Sequence, residues 1–126
     1  MKDIETRKDV EQLVNKFYDK IVNDDVIGFY FTDIAKIHLD KHLPKMYNFW
    51  ESILLDNPVY EGFPMAAHFP LNEAAAMEEK HFNRWLQVWE QTVHDNFDGE
   101  KAERAVTRAL NIARIMNHKM KSAREF

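Results

Sequence analysis

The chain has 126 residues, 45% of them apolar and 30% charged, with a net charge of −4 and no cysteine. That size and composition fit one domain, residues 1–126, around one buried core. The acidic balance lacks the basic footprint of a nucleic-acid binder, and the missing thiols exclude disulfides, thiolate catalysis, iron–sulfur clusters, Cys-based zinc sites and any cofactor attached through paired cysteines. From Ile4 to Val22 the residues Val10, Leu13, Val14, Phe17, Tyr18 and Ile21 recur at three- and four-residue steps, which predicts a helix with one apolar face. The turn-forming stretch from Asn23 to Gly28 ends it, and Phe29, Tyr30 and Phe31 form an aromatic corner. A second helical pattern runs from Thr32-Asp33 to Leu55, with Met46, Phe49, Trp50 and Ile53 on one face. Pro44 interrupts that pattern by removing a backbone donor, so either the helix kinks there or a new one starts with Pro44 in its first turn.

Residues 56–71 hold three of the four prolines and one of the three glycines, which permits at most a short helix around Pro64 to His68, bounded by Pro70. A long helix is expected from Asn72 to Asn96, with Phe82, Trp85, Leu86, Trp89 and Val93 on its buried stripe and Asp98-Gly99 as its stop. The last helix, Glu100 to Ala123, repeats Ala102, Ala105, Val106, Ala109, Ile112, Ala113, Met116 and Met120 at helical spacing; its small residues allow a close neighbour. No alternating apolar and polar run competes as a strand. The expected fold is all-α, with the helices gathered around one core.

Nine Phe, three Trp, four Tyr and six Met could line a large flat cavity, though composition alone fits an ordinary core of big residues equally well. With no thiol, a metal would rest on histidine, carboxylate, tyrosine or methionine. His38 and His42, four apart, could share a metal on one helix face, but no third ligand is placed by the spacing. His68 lies in the proline-bounded run MAAHFP beside Met65, Phe69 and Leu71, where a rigid apolar wall would present its imidazole as a haem iron requires; a loop histidine facing water is the plain alternative. His42, Met46, Phe49 and Trp50 share a helix face, a polar tip above an apolar floor. Tyr18 adds a phenol and Trp85 an indole N–H, and each, if buried, needs a partner: a small polar ligand, or simply a backbone carbonyl within the core. His81, His94 and His118 sit among charged residues and read as solvated.

The order of these pieces resembles the truncated haemoglobins, in particular their third group. Phe17-Tyr18, Phe31, His42-Leu-Pro-Lys-Met46 with Phe49-Trp50, Tyr60-x-Gly62-x-Pro64-x-x-x-His68, and His81-Phe82-x-Arg84-Trp85-Leu86 carry the resemblance, which extends from about residue 10 to 120. The paired glycines usual in the other two groups are absent, since the only glycines are Gly28, Gly62 and Gly99. The resemblance implies a two-on-two helical sandwich around non-covalent haem b. It implies His68 as the iron ligand, His42 as the distal histidine, Tyr18 as the distal tyrosine and Trp85 as the indole lining the same pocket. Phe31 would pack on the haem edge, with Met46, Phe49 and Trp50 on the helix above the distal face.

The activity implied is binding of O2, NO, CO or peroxide, with NO dioxygenation or peroxide reduction expected ahead of oxygen transport, and with an unidentified reductase as partner. The residues themselves leave two rivals: a cofactor-free helical interaction module, and a non-haem histidine site using His38 and His42. A monomer without nucleic-acid or membrane partners is expected. The polar start MKDIETRKDVEQ lacks the apolar centre of a secretory signal, and no apolar run approaches the roughly 20 residues a bilayer requires, so the expected location is cytoplasmic.

Overall fold

The computed structural model describes residues 1–34, 39–60, 72 and 76–124. Among these every regular element is helical: α1 (Arg7–Ile21), a π-helical turn (Tyr30–Ile34), α2 (Leu39–Leu54), α3 (Glu79–Asn96) and α4 (Glu100–Arg124). Helices α1 and α2 pack on each other, α3 and α4 on each other, and the pairs meet through α1 on α3 and α2 on α4. This is the two-on-two sandwich, and the all-α expectation holds. Among the described residues no helix is long and apolar enough to cross a membrane.

Helix α1 begins three residues later than its apolar spacing suggests because Thr6 caps it. The Asp9 amide donates to Thr6 Oγ1 at 3.3 Å and the Thr6 amide donates to Asp9 Oδ2 at 3.1 Å, satisfying two orphan donors at once. Its inward stripe, Val10, Leu13, Val14, Phe17 and Ile21, is at most 2% exposed. Gly28 then closes on the end of α1: a Cβ there would come within 2.8 Å of the Val22 carbonyl oxygen, so only glycine lets the chain turn this tightly.

Helix α2 starts at Leu39, beyond a π-helical turn, and runs through Pro44 without a break. Of the two readings of Pro44, a fresh start is ruled out; the proline lies in the second turn of a continuous helix. Helix α3 also starts late. Glu78 is an extended cap (φ −95°, ψ 169°) whose amide donates to His81 Nδ1 at 2.9 Å, so the expected helix from Asn72 is shortened to Glu79. The buried Asn72 is used differently: its Nδ2 donates to the Met120 carbonyl of α4 and its Oδ1 accepts from the Met77 amide. Helix α4 runs as its spacing predicts, with Ala102, Ala105, Ala109, Ala113, Met116 and Met120 buried against α3 and α2.

The alanines of α4 leave room for Trp89, which is 1% exposed and donates its indole N–H to the Ala105 carbonyl at 3.1 Å. Trp50 of α2 stacks on Trp89 with centroids 4.3 Å apart, Trp85 lies parallel to it at 6.4 Å, and Phe17 meets both Trp85 and Trp89 edge-on. One aromatic cluster therefore ties α1, α2 and α3 together and sets where the remaining polar side chains fall.

Candidate functional site

The residues singled out on α1 and α2 converge. Tyr18 Oη lies 2.8 Å from His42 Nε2, and the two rings meet edge-on. Tyr18 is 7% exposed, and burial raises its phenol far above the ordinary value, so the group stays protonated at any physiological pH. His42 is only half-buried, which leaves the pair with a dry end and a wet end. Phe31 packs edge-on against Tyr18 at 5.8 Å, carried there by the π-helical turn; its neighbour Tyr30 points instead to the start of α3. A π turn re-aims consecutive side chains in just this manner.

Below His42 the stripe Met46, Phe49 and Ile53 is apolar but only half-buried, although Trp50 and Leu54 beside it are closed into the core. Phe31 and Leu43 near Tyr18 and His42, and Trp85 and Leu86 on α3, are half-buried too. Trp50 thus faces the tryptophan stack, while Met46 and Phe49 line the open side. Trp85 makes ring contacts only; among the described residues its indole N–H has no hydrogen-bond partner. A wall of large apolar side chains left half-open beside the buried Tyr18 hydroxyl and its half-buried His42 partner fits a flat apolar group with one polar centre, as haem is. His68, the residue expected to hold the iron, and His38 both lie outside the described residues.

Two features escaped the sequence reading. His81 is not solvated: its Nδ1 lies 3.2 Å from Tyr30 Oη as well as accepting from Glu78, and Tyr30 in turn donates to the Ala76 carbonyl. The FYF corner held the signal, because a buried tyrosine between two half-buried phenylalanines needs a polar partner. Leu43 is the other, a wall residue visible only as the apolar member of the run His42-Leu-Pro. The rival metal site gains no support, since His42 Nε2 is engaged by Tyr18 and no group of three metal-binding side chains occurs among the described residues.

Comparison with known proteins follows this geometry. Residues 2–122 match the family model described as bacterial-like globin. A group 3 truncated haemoglobin of Campylobacter jejuni is 26% identical over 110 residues, 85% of this chain and 84% of that protein. The crystal structure of a group III truncated haemoglobin from Campylobacter jejuni superposes with a TM-score of 0.83, at 24% identity and covering 95% of each chain.

Proposed function

The chain belongs to the bacterial-like globin family, of the third truncated group, and on that premise we propose that it turns over O2 with NO, or peroxide, at a non-covalent haem b held by His68. Haem-based binding of a small ligand comes with the family. Redox chemistry on that ligand is our extension of it. The observation that carries the extension is the 2.8 Å contact between buried Tyr18 and half-buried His42 beside an open apolar wall.

Haem, when bound, supplies the iron at which the small ligand is held and oxidised or reduced. Everything else falls to the side chains. Tyr18, kept neutral by burial, offers one O–H donor to a ligand that gains negative charge. With His42 neutral and Nε2 unprotonated, Tyr18 Oη donates to Nε2; with His42 as imidazolium, Nε2–H donates to Tyr18 Oη and turns the tyrosine proton toward the pocket. The pair can therefore pass a proton between solvent and a dry interior. Trp85 supplies a second donor, Phe31 keeps water from the Tyr18 ring, and Met46 and Phe49 form the floor, with Trp50 behind them in the core. Cys-free composition supports non-covalent attachment. Donors this well shielded slow ligand release, which suits turnover better than transport. The electrons for this chemistry would come from a reductase, with a cytoplasmic monomer as its partner.

His68→Gly tests the assignment on purified, haemin-loaded protein. The expected result is a changed Soret band and faster haem loss to an apomyoglobin acceptor, both reversed by added imidazole. An unaltered spectrum with the same grip on haem overturns it.

A further inference from the structure

We propose that the outward face of α4 around Ile115 is the docking surface for an acidic electron-carrier protein; this rests on the reading above, which requires a reductant. From Arg104 to Arg124 the chain carries four arginines, two lysines and His118 without one aspartate or glutamate, whereas the remainder holds eleven Lys and Arg against twenty-one acidic residues. A protein acidic overall thus concentrates its unopposed positive charge on a single helix.

The placement of that charge is not a by-product of helix stability. Cations in the last turn of a helix are favoured by its dipole, which accounts for Lys121 and Arg124. Arg104 and Arg108 lie in the N-terminal half, beyond reach of the dipole at the last turn that favours cations, and they are four residues apart, a spacing at which like charges repel. Arg104 reaches Asp56 only at 3.8 Å; among the described residues Arg108, Arg114 and Lys119 make no ion pair. At 100° per residue, Arg104, Arg108, Ile115, His118 and Lys119 fall on the face opposite the buried Ala102, Ala109, Ala113 and Met120, with Arg114 at its edge.

Ile115 is 53% exposed at the centre of this face. The other exposed large apolar residues, Met1, Val26 and Val59, lie in a terminus, a turn and a loop, so Ile115 alone sits on a helix body among the described residues. An apolar anchor flanked over roughly 22 Å of helix by cations, of which Arg104 alone has a long ion pair among the described residues, is built to meet an acidic protein surface. The excess negative charge elsewhere disfavours a long polyanion such as DNA. A membrane is disfavoured because the apolar face of α4 is already spent on the core. The opposed charges also make the molecule a dipole that turns this face toward an anionic partner during encounter.

The test is titration of the haem-loaded protein with a flavodoxin, an acidic FMN carrier, by calorimetry at low and high salt. Binding should be lost at 0.5 M NaCl, and both Arg108→Glu/Lys119→Glu and Ile115→Asp should weaken it at least tenfold with the Soret band and Tm unchanged. Because haem uptake is read separately by that band, lost docking with the band intact falls on α4, and a missing band falls on the haem reading. Three results overturn the proposal: no flavodoxin binding, equal affinity in the variants, or tighter binding of a 20-bp DNA or phosphatidylglycerol vesicles through the same residues. Self-association of the wild type that the double variant abolishes in sedimentation velocity overturns it as well, by making a second copy the occupant.

Discussion

Tyr18 of α1 and His42 of α2, 24 positions apart in sequence, are joined by a 2.8 Å contact between Oη and Nε2 at the half-open side of the helical sandwich. Removing the hydroxyl while keeping the ring isolates that contact. Tyr18→Phe deletes a hydrogen bond worth about 1 kcal/mol or more in a dry pocket, so O2 should leave the haem-loaded protein roughly five- to tenfold faster. Stopped-flow displacement by CO measures it. An unchanged rate removes Tyr18 from the mechanism.

The tryptophan stack should dominate stability. Trp89 is 1% exposed, touches Trp50 and Phe17, and bonds the Ala105 carbonyl. Trp89→Ala should cost about 3–5 kcal/mol by leaving a large cavity at the junction of α1, α2 and α3. Urea unfolding would record a lower midpoint; a loss under about 1 kcal/mol would mean the site collapses around the gap.

Gly99 is fixed by a contact 96 positions away. Its φ of +145° disfavours any side chain, and a Cβ would lie 2.5 Å from Asp3 Cγ. Asp3 cannot easily yield, because its carboxylate accepts from the Lys101 and Ala102 amides and so caps α4. Gly99→Ala should therefore destabilise the protein by about 1–3 kcal/mol. In an Asp3→Gly background the same change should cost less, since the Asp3 Cβ and Cγ that a new Cβ would meet at 2.6 and 2.5 Å are gone and only backbone strain is left; equal costs would show that the two residues do not interact.

Acid should unfold the protein through three aspartates. Burial alone would raise each carboxyl, but it is outweighed at Asp3 by the Lys101, Ala102 and Ile4 amides. At Asp9 the Lys2 ammonium with the Glu5 and Thr6 amides prevails, and at Asp24 the Arg84 guanidinium with the Val26 and Ile27 amides. All three sit below the ordinary aspartate value when folded. Their contribution is thus complete above about pH 4, the unfolded value, and is lost as pH falls through the depressed folded values. Folding free energy measured from pH 7 to pH 2 should be flat in these groups down to about pH 4 and fall below it. Asp24→Asn should shrink the fall, and an equal fall in that variant would exclude the Asp24–Arg84 pair as a cause.

Periodicity made much of this protein legible. Three- and four-residue spacing is a local property of the chain, so α1 and α4 appeared almost to their ends, as did the all-α class and the absence of strands. Order and spacing of Tyr18, His42 and the His81 to Leu86 run were enough to suggest the family and its haem, because such a pattern survives without any coordinates. Helix starts were less legible: Thr6 and His81 mark them through hydrogen bonds between side chain and backbone, which apolar spacing does not register.

The tertiary structure decided what depends on elements meeting. Pro44 could stay inside α2 because the packing of Trp50 and Leu54 holds that helix whole around the lost backbone bond. His81 looked solvated by its charged neighbours, yet its Nδ1 accepts from the Glu78 amide and lies 3.2 Å from Tyr30 Oη of the π-helical turn. Tyr18 and His42 were each a plausible polar residue on its own helix. Only the crossing of α1 and α2 brings their polar atoms within hydrogen-bonding distance, since long-range contacts are fixed by how helices pack and not by the spacing within either one.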